Sequence, residues 1–580
     1  MKLKNLAAAA LAAAVLAPAA ARPQTALDSR HQLGLFADVM QDTVTRQDGV
    51  LPIDAPQLRL VLDPAAMPGN SGGDIITTLL LDFDGDGDQD LLLGIGEAYP
   101  RPSRLLRNDG SGRFREVADT GLPTNMGGAT RGDLDNDGFC DLVVLAFDRT
   151  RFDAPPEYAD HEVRVLAVAP DLPAVRAFRS LGTGAFVPYP VAGPAAGLPA
   201  ATAWPPGGKA VWACPDLVDL DRDGAVDLVL IQSVRSAQAS GSREHLWVLA
   251  NRDGRLEAEA VIPLPVPAIE TIGIANTSCF DADADGWIDV TLVAKTGFFV
   301  VDCPVHVLWN RQGSLVPAAA ILDAGREPKG GPPAWFDADA DGDFDLLGVQ
   351  TDAQGGQHNL YLDDGHGRWR STGAAGGLWS GYSIMSGAAW GDLDQDGLPD
   401  LVPCLNGNGL TPVAIPVRLN LGQGRFGSTW AAFRPRLTTT VASAVCADLD
   451  GDLDLDLIVS PRTLWAGNTP ADQSPVLLYR NESDLGHSLV LSLVGTESNR
   501  SALGARLVVA HGGRRQALIV GGTAGNGLSV PALDQHVGLG RAVQADSVVV
   551  RWPSGLVEHW TGLAAGRRWV LTEGAGTAAR

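Results

Sequence analysis

Nine-residue runs of the form Asp-x-Asp-x-Asp-x-x-x-Asp begin at Asp82, Asp133, Asp219, Asp281, Asp337, Asp392 and Asp448, each holding four carboxylates at fixed offsets. Carboxylates spaced in this way can wrap a hard cation. An ion of calcium size takes six to eight oxygens at roughly 2.3–2.6 Å, from monodentate carboxylates, a backbone carbonyl and a bidentate carboxylate. In the first run Asp82, Asp84 and Asp86 read as monodentate ligands, the carbonyl of Asp88 as the backbone ligand and Asp90 as the closing carboxylate. Gly87 makes the left-handed turn that curls the loop round the ion.

The second set is Asp133, Asp135, Asp137 and Asp141, and the third is Asp219, Asp221, Asp223 and Asp227. The fourth is Asp281, Asp283, Asp285 and Asp289, and the fifth is Asp337, Asp339, Asp341 and Asp345. Asp392, Asp394, Asp396 and Asp400 form the sixth; Asp448, Asp450, Asp452 and Asp456 form the seventh. No Cys or His stands at a ligand position, so calcium is favoured over zinc or copper, with magnesium the weaker alternative, and six to seven structural Ca2+ ions are expected, at most one per loop. The seventh run has Leu453 where the other six have Gly. Because a Cβ resists positive φ, this loop is predicted to be the weakest or most distorted, and Asp88, Asp343 and Asp454 at loop position seven to be exposed.

The whole-chain charge fits metal chemistry. Formal net charge is −24, from 68 acidic and 44 basic residues, and the four carboxylates of seven loops supply 28 of the acids. No basic face is evident, which argues against a nucleic-acid partner.

The loops must be positioned by repeated elements. Their starts are 51, 86, 62, 56, 55 and 56 residues apart, the period of a supersecondary unit that must stack on its neighbours. Before each loop lies a strand of small residues such as Ser386-Gly387-Ala388-Ala389-Trp390, and after it an apolar strand such as Leu228-Val229-Leu230. A third strand ends in Asn and a Gly turn, as in Leu105-Leu106-Arg107-Asn108-Asp109-Gly110, and a fourth opens on Phe114, Trp369 or Phe426. Four short strands repeated seven times predict an all-β, seven-bladed β-propeller.

The phrase from Leu105 to Phe114, followed by Gly132-Asp133-Leu134-Asp135-Asn136-Asp137-Gly138, resembles FG-GAP repeats, the calcium-loop blades of integrin α heads and of many secreted bacterial proteins. The resemblance covers about 75–484 and implies structural calcium at one rim. The second repeat is overlong, and about 147–187 reads as a rim insertion.

From about 485 to 575 the Asp loops stop and Gly-punctuated strands predict a small β-sandwich. The phrases Gly495-Thr496-Glu497-Ser498-Asn499-Arg500, Gly504-Ala505-Arg506, Gln535-His536-Val537-Gly538 and Arg551-Trp552-Pro553-Ser554-Gly555 resemble the ASPIC/UnbV domain found after FG-GAP repeats in the cartilage acidic protein family. That resemblance implies an extracellular calcium-binding protein and carries no catalytic activity with it.

Residues 1–21, with Lys2, Lys4, an Ala/Leu/Val core and Ala19-Ala20-Ala21, read as a signal peptide, and 22–74 as a lead segment. No later run reaches the roughly 20 apolar residues of a membrane span. The expected protein is secreted or periplasmic. Six cysteines, Cys140, Cys214, Cys279, Cys303, Cys404 and Cys446, allow disulfides or buried thiols. Arg131-Gly132-Asp133 spells an integrin-ligand tripeptide, but Asp133 already opens a loop. His487, His511, His536 and His559 match no metal motif. The expected role is a non-enzymatic scaffold for an extracellular glycan or protein. The alternatives are a polysaccharide lyase or hydrolase, or an accessory protein of a biosynthetic or assembly pathway.

Overall fold

The computed structural model describes residues 58–63, 65–67, 75–95, 103–123, 126–146, 175–192, 209–235, 242–264, 274–294, 305–317, 334–352, 355–364, 369–372, 384–406, 417–427, 440–462, 476–483, 486–521 and 529–578. All lie in the compact unit Leu51–Arg580. The signal peptide and most of the lead segment fall outside them. No helix occurs among the described residues, and none is long and apolar enough to cross a membrane.

Each Asp loop joins the first two strands of its own sheet. The first sheet runs Ile75–Leu81, Asp90–Ile95, Arg104–Asn108 and Phe114–Glu116, all antiparallel. The strand–loop–strand pair recurs around the other loops, from Met126–Gly132 and Asp141–Ala146 in the second sheet to Thr440–Ala447 and Asp456–Arg462 in the seventh; the sixth sheet has two strands among the described residues, extended by isolated bridges at Arg418 and between Asn420 and Phe426. The second strands are apolar on both faces because both faces are covered. Leu92 packs against the second sheet's Leu142 and Val144, while Leu91 and Leu93 pack against the seventh sheet's Ile458 and Leu478. Shared cores join each consecutive pair in the same way, through to Val402 and Cys404 of the sixth with Leu457 and Val459 of the seventh. A closed ring of sheets standing side by side is a β-propeller.

The lead segment closes that ring. Leu60–Leu62 pairs antiparallel with Leu477–Asn481, Leu60 opposite Asn481, as the outer strand of the seventh sheet. One expectation is corrected in the second sheet. Residues 175–187 were assigned to the rim insertion, yet Val175–Ser180 and Phe186–Tyr189 are its third and fourth strands. The remainder of that insertion lies outside the described residues.

The terminal domain has two sheets. His487–Val494 pairs with Gln535–Gly540 and Arg568–Thr572, and Arg506–His511 pairs with Arg514–Ile519 and Gln544–Arg551. Leu489, Leu491, Val537 and Leu571 of the first share a core with Leu507, Val509, Val548 and Val550 of the second. That core runs on into the propeller through Leu503, Leu134 and Leu217. None of Cys140, Cys279, Cys404 and Cys446, all buried, is in a disulfide. The side chains of Cys214 and Cys303 lie outside the described residues.

Candidate metal centres

The carboxylate at the ninth position of each loop fastens strands together. One oxygen accepts an N–H from the third strand: Asn108 to Asp90 at 2.8 Å, Ser180 to Asp141 at 2.7 Å, Asn251 to Asp227 at 3.0 Å and Asn310 to Asp289 at 2.7 Å. Asp363, Asn420 and Asn481 repeat the bond to Asp345, Asp400 and Asp456 at 2.8–2.9 Å. In the first six loops the other oxygen accepts the N–H of the loop's second residue. The carboxylate at the fifth position accepts the N–H of the seventh residue in all seven loops.

The carboxylate at the third position is treated differently. Its Oδ2 is held by an arginine at the end of the third strand in five loops: Asp84 by Arg107 at 2.8 Å, Asp135 by Arg179, Asp221 by Arg252, Asp283 by Arg311, and Asp450 by Arg480. On Asp84, Asp135 and Asp450 the opposite oxygen, Oδ1, is buried and has no hydrogen-bond partner, as is Oδ1 of Asp339. Asp219 Oδ1, Asp281 Oδ1 and Asp448 Oδ2 are bare as well. Oxygens of Asp82, Asp84 and Asp90 come within 4.8 Å of one another, as do those of Asp133, Asp135 and Asp141, of Asp219, Asp221 and Asp227, of Asp281, Asp283 and Asp285, and of Asp337, Asp339 and Asp345. An arginine orienting one oxygen while the other faces a cluster of carboxylates is the outer-shell arrangement of a metal ligand.

Burial drives these acids up. The Asp90, Asp141 and Asp289 carboxyls are pushed to about 8 and that of Asp345 to about 9, first by desolvation and then in part by neighbouring carboxylates. Asp219 is raised to about 7 and Asp337 to about 8, again chiefly by burial. A bound cation would remove the cause, because it replaces the lost water and neutralises the neighbours. The donor set is all oxygen and suits a hard divalent cation.

Two backbone positions per loop are left-handed, where the sequence pointed to one. The sixth residue has φ between 85° and 102° in the six glycine copies, and Leu453 joins them at 71°. Leu453 takes this turn despite its Cβ, and its loop is the most distorted of the seven: it lacks the bond from the sixth residue's N–H to the first carboxylate that the other six loops make. The fourth residue is left-handed too, at Asn136, Arg222, Ala284, Ala340 and Gln395 as well as at Gly85 and Gly451. Three of these side chains reach the next loop. Asn136 Nδ2 donates to Gly224 O at 3.0 Å, Arg222 to Gly286 O, and Gln395 Nε2 to Leu453 O at 3.3 Å. Third-strand side chains link the sheets beneath. Asn108 Nδ2 donates to Leu449 O, Asn251 to Leu134 O, Asn310 to Leu220 O, Asn420 to Ala338 O, Asn481 to Leu393 O, and Ser180 Oγ to Phe83 O.

The terminal domain sits on this loop rim. Arg568 donates to Gly87 O at 3.0 Å, Ser501 Oγ accepts from Asp133 N at 2.9 Å, and Arg506 donates to Gly342 O at 2.9 Å. Ala517 N donates to Asp337 Oδ2 at 2.7 Å, Arg514 to Asp396 O, and Ser488 Oγ to Leu453 O. Its strand Ser529–Val530 adds in parallel to Ile75–Leu81 at the inner edge of the first sheet. Buried Arg131 donates to Pro531 O, and Leu503 Cδ1 lies 2.6 Å from where a Cβ on Gly132 would stand, so the Arg131-Gly132-Asp133 tripeptide is covered. His536 Nε2 donates to Leu453 O at 3.0 Å.

Sequence reasoning missed the fourth-position side chains, the orienting arginines and the cap. Only the arginines carried a signal, an Arg beside the third-strand Asn or Ser at Arg107-Asn108, Arg179-Ser180, Asn251-Arg252, Asn310-Arg311 and Arg480-Asn481.

Fold and site define a β-propeller with a rim of acidic loops beneath a β domain. The chain carries an FG-GAP-like repeat over residues 82–144 and an ASPIC and UnbV domain over residues 495–578. Comparison with curated proteins returns no match. Similar solved structures include an α-L-arabinofuranosidase from Fusarium graminearum in complex with an iminosugar inhibitor, 11% identical, with TM-score 0.36 over 74% of this chain and 98% of that one. An α-L-arabinanase from Penicillium chrysogenum complexed with arabinobiose is 11% identical at TM-score 0.36, over 74% of this chain and 100% of that one. The Dos1 propeller is 11% identical at TM-score 0.38, over 73% and 96%. Likeness at this level carries no inference about activity.

Proposed function

We propose that this is an exported, non-enzymatic scaffold in which calcium on the acidic loops holds a propeller and its terminal domain together for binding an extracellular glycan or protein. The observation that carries the calcium reading is the set of buried, bare carboxylate oxygens on Asp84, Asp135, Asp219, Asp281, Asp339, Asp448 and Asp450. An unpaired buried carboxylate oxygen is costly, and the same defect at the first or third position of six loops asks for one remedy. Calcium provides it through flexible all-oxygen coordination.

The ions have a structural role in this reading because the terminal domain lies over the loops. A partner then meets the opposite rim, where the second strands leave for the third, or the outer strands. The test is retention of the mature protein on a panel of extracellular polysaccharides, with calcium and with EGTA, each glycan being sized afterwards. Calcium-dependent retention of intact glycan supports the scaffold. Shortened chains would replace it with an enzyme, and no retention would direct the search to protein partners.

A further inference from the structure

The seventh loop departs from the other six in a way that suggests tighter ion binding. As at Gly87, Gly224, Gly286 and Gly342, the sixth-position carbonyl is taken up outside the loop, that of Leu453 by Gln395 Nε2, Ser488 Oγ at 2.5 Å and His536 Nε2; the departure is at the following position. The next residue turns inward. Asp454 is only 7% exposed, whereas Asp88 and Asp343 at the same loop position are half-buried. This corrects the expectation that all three are exposed.

Its backbone N–H donates to Asp452 Oδ1 at 3.1 Å, and its carboxyl is hydrogen-bonded with that of Asp452 and feels the charges of Asp456 and Asp450. Four buried oxygens here lack partners: Asp448 Oδ2, Asp450 Oδ1, Asp454 Oδ1 and Asp456 Oδ2. Each of the first five loops has one such oxygen on its ligand set, and the sixth has none. Asp456 is 1% exposed, so two of the bare oxygens belong to side chains more than nine-tenths buried. Arg480 is the one arginine paired in the cluster, on Asp450, and it is shared with Asp63.

We propose that Asp454 is a side-chain ligand, so that the seventh loop encloses its cation with five carboxylates, Asp448, Asp450, Asp452, Asp454 and Asp456. This rests on the calcium reading above. Ligand charge is one of the levers that set affinity at such sites, so the loop that looked weakest in sequence becomes a strong one. The outward carbonyl of Leu453 also ties the site to Ser488 and His536 of the terminal domain.

The test is calcium titration calorimetry on the full-length mature protein, stripped of metal, as wild type and as Asp454→Asn. The variant is expected to weaken one site by roughly tenfold or more while leaving the others. Thermal melts separate ligation from packing. Without metal, Asp454→Asn keeps the side chain's size and eases the crowding of carboxyls, so it should melt at or above the wild-type temperature; with calcium it should melt below. Superimposable titrations, or an equal drop in both melts, would overturn the assignment of Asp454. A wild type that binds no calcium would overturn the calcium reading and this proposal with it.

Discussion

Asn420 shows how much one side chain carries in this fold. Its Nδ2 donates to Ala338 O of the preceding sheet at 2.7 Å and to Pro399 O at 3.0 Å, while its Oδ1 accepts from Gly422 N. Asn420→Ala would strand buried carbonyls on two sheets. A cost of about 3 kcal/mol is expected in chemical denaturation, and a change under about 0.5 kcal/mol would mean that the bridge contributes little. The Asn-Gly turn was legible in sequence, but only as a turn. The amide's crossing to the next sheet was not, because it depends on which carbonyl the ring closure places opposite. The loop ligands were legible individually, since their offsets recur seven times. Burial of Asp454 was not, because the residues lying over the seventh loop, Ser488 and His536, are distant in sequence.

At the scale of the element, the loop behaves as a proton-or-metal switch. Folded values near 8 for Asp90, Asp141 and Asp289, and near 9 for Asp345, exceed the unfolded value of about 4. The metal-free fold therefore binds protons more tightly than the unfolded chain. These groups favour folding fully below about pH 4, and that contribution is lost as pH climbs through the folded values. Metal-stripped protein should melt lower at about pH 8 than at about pH 5, while calcium-loaded protein should not, because protons compete with the ion at the acidic end. The same slope in both states would contradict the loop account. The strand–loop–strand unit was legible from apolar runs beside the Asp pattern. The third strand of the second sheet was hidden because a long Pro- and Ala-rich stretch precedes it, and the closing strand Leu60–Leu62 because it is short and carries no repeat signal.

For the whole molecule, the arrangement absent from the sequence is the terminal domain lying over the loops. Strand patterns identify two domains but not the face on which they meet, since that depends on side chains such as Arg506, Arg514 and Arg568 that read individually as surface charge. Gly538 marks the closeness of fit: a Cβ there would lie 1.7 Å from Asp392 Oδ2. Gly538→Ala should loosen the cap from the sixth loop, lowering the melting temperature and quickening proteolysis between the domains. A variant with wild-type melting and cleavage would show that the two surfaces are not held so tightly.

The central claim is that cations on these loops hold the propeller together under its cap. The most direct measurement is the thermal melt of the mature protein in calcium and again in excess EGTA. An ion at about one hundred times its dissociation constant stabilises the folded state by about 2.7 kcal/mol per site, so with several sites a fall of many degrees in EGTA is the expected result. An unchanged melting temperature would contradict the account.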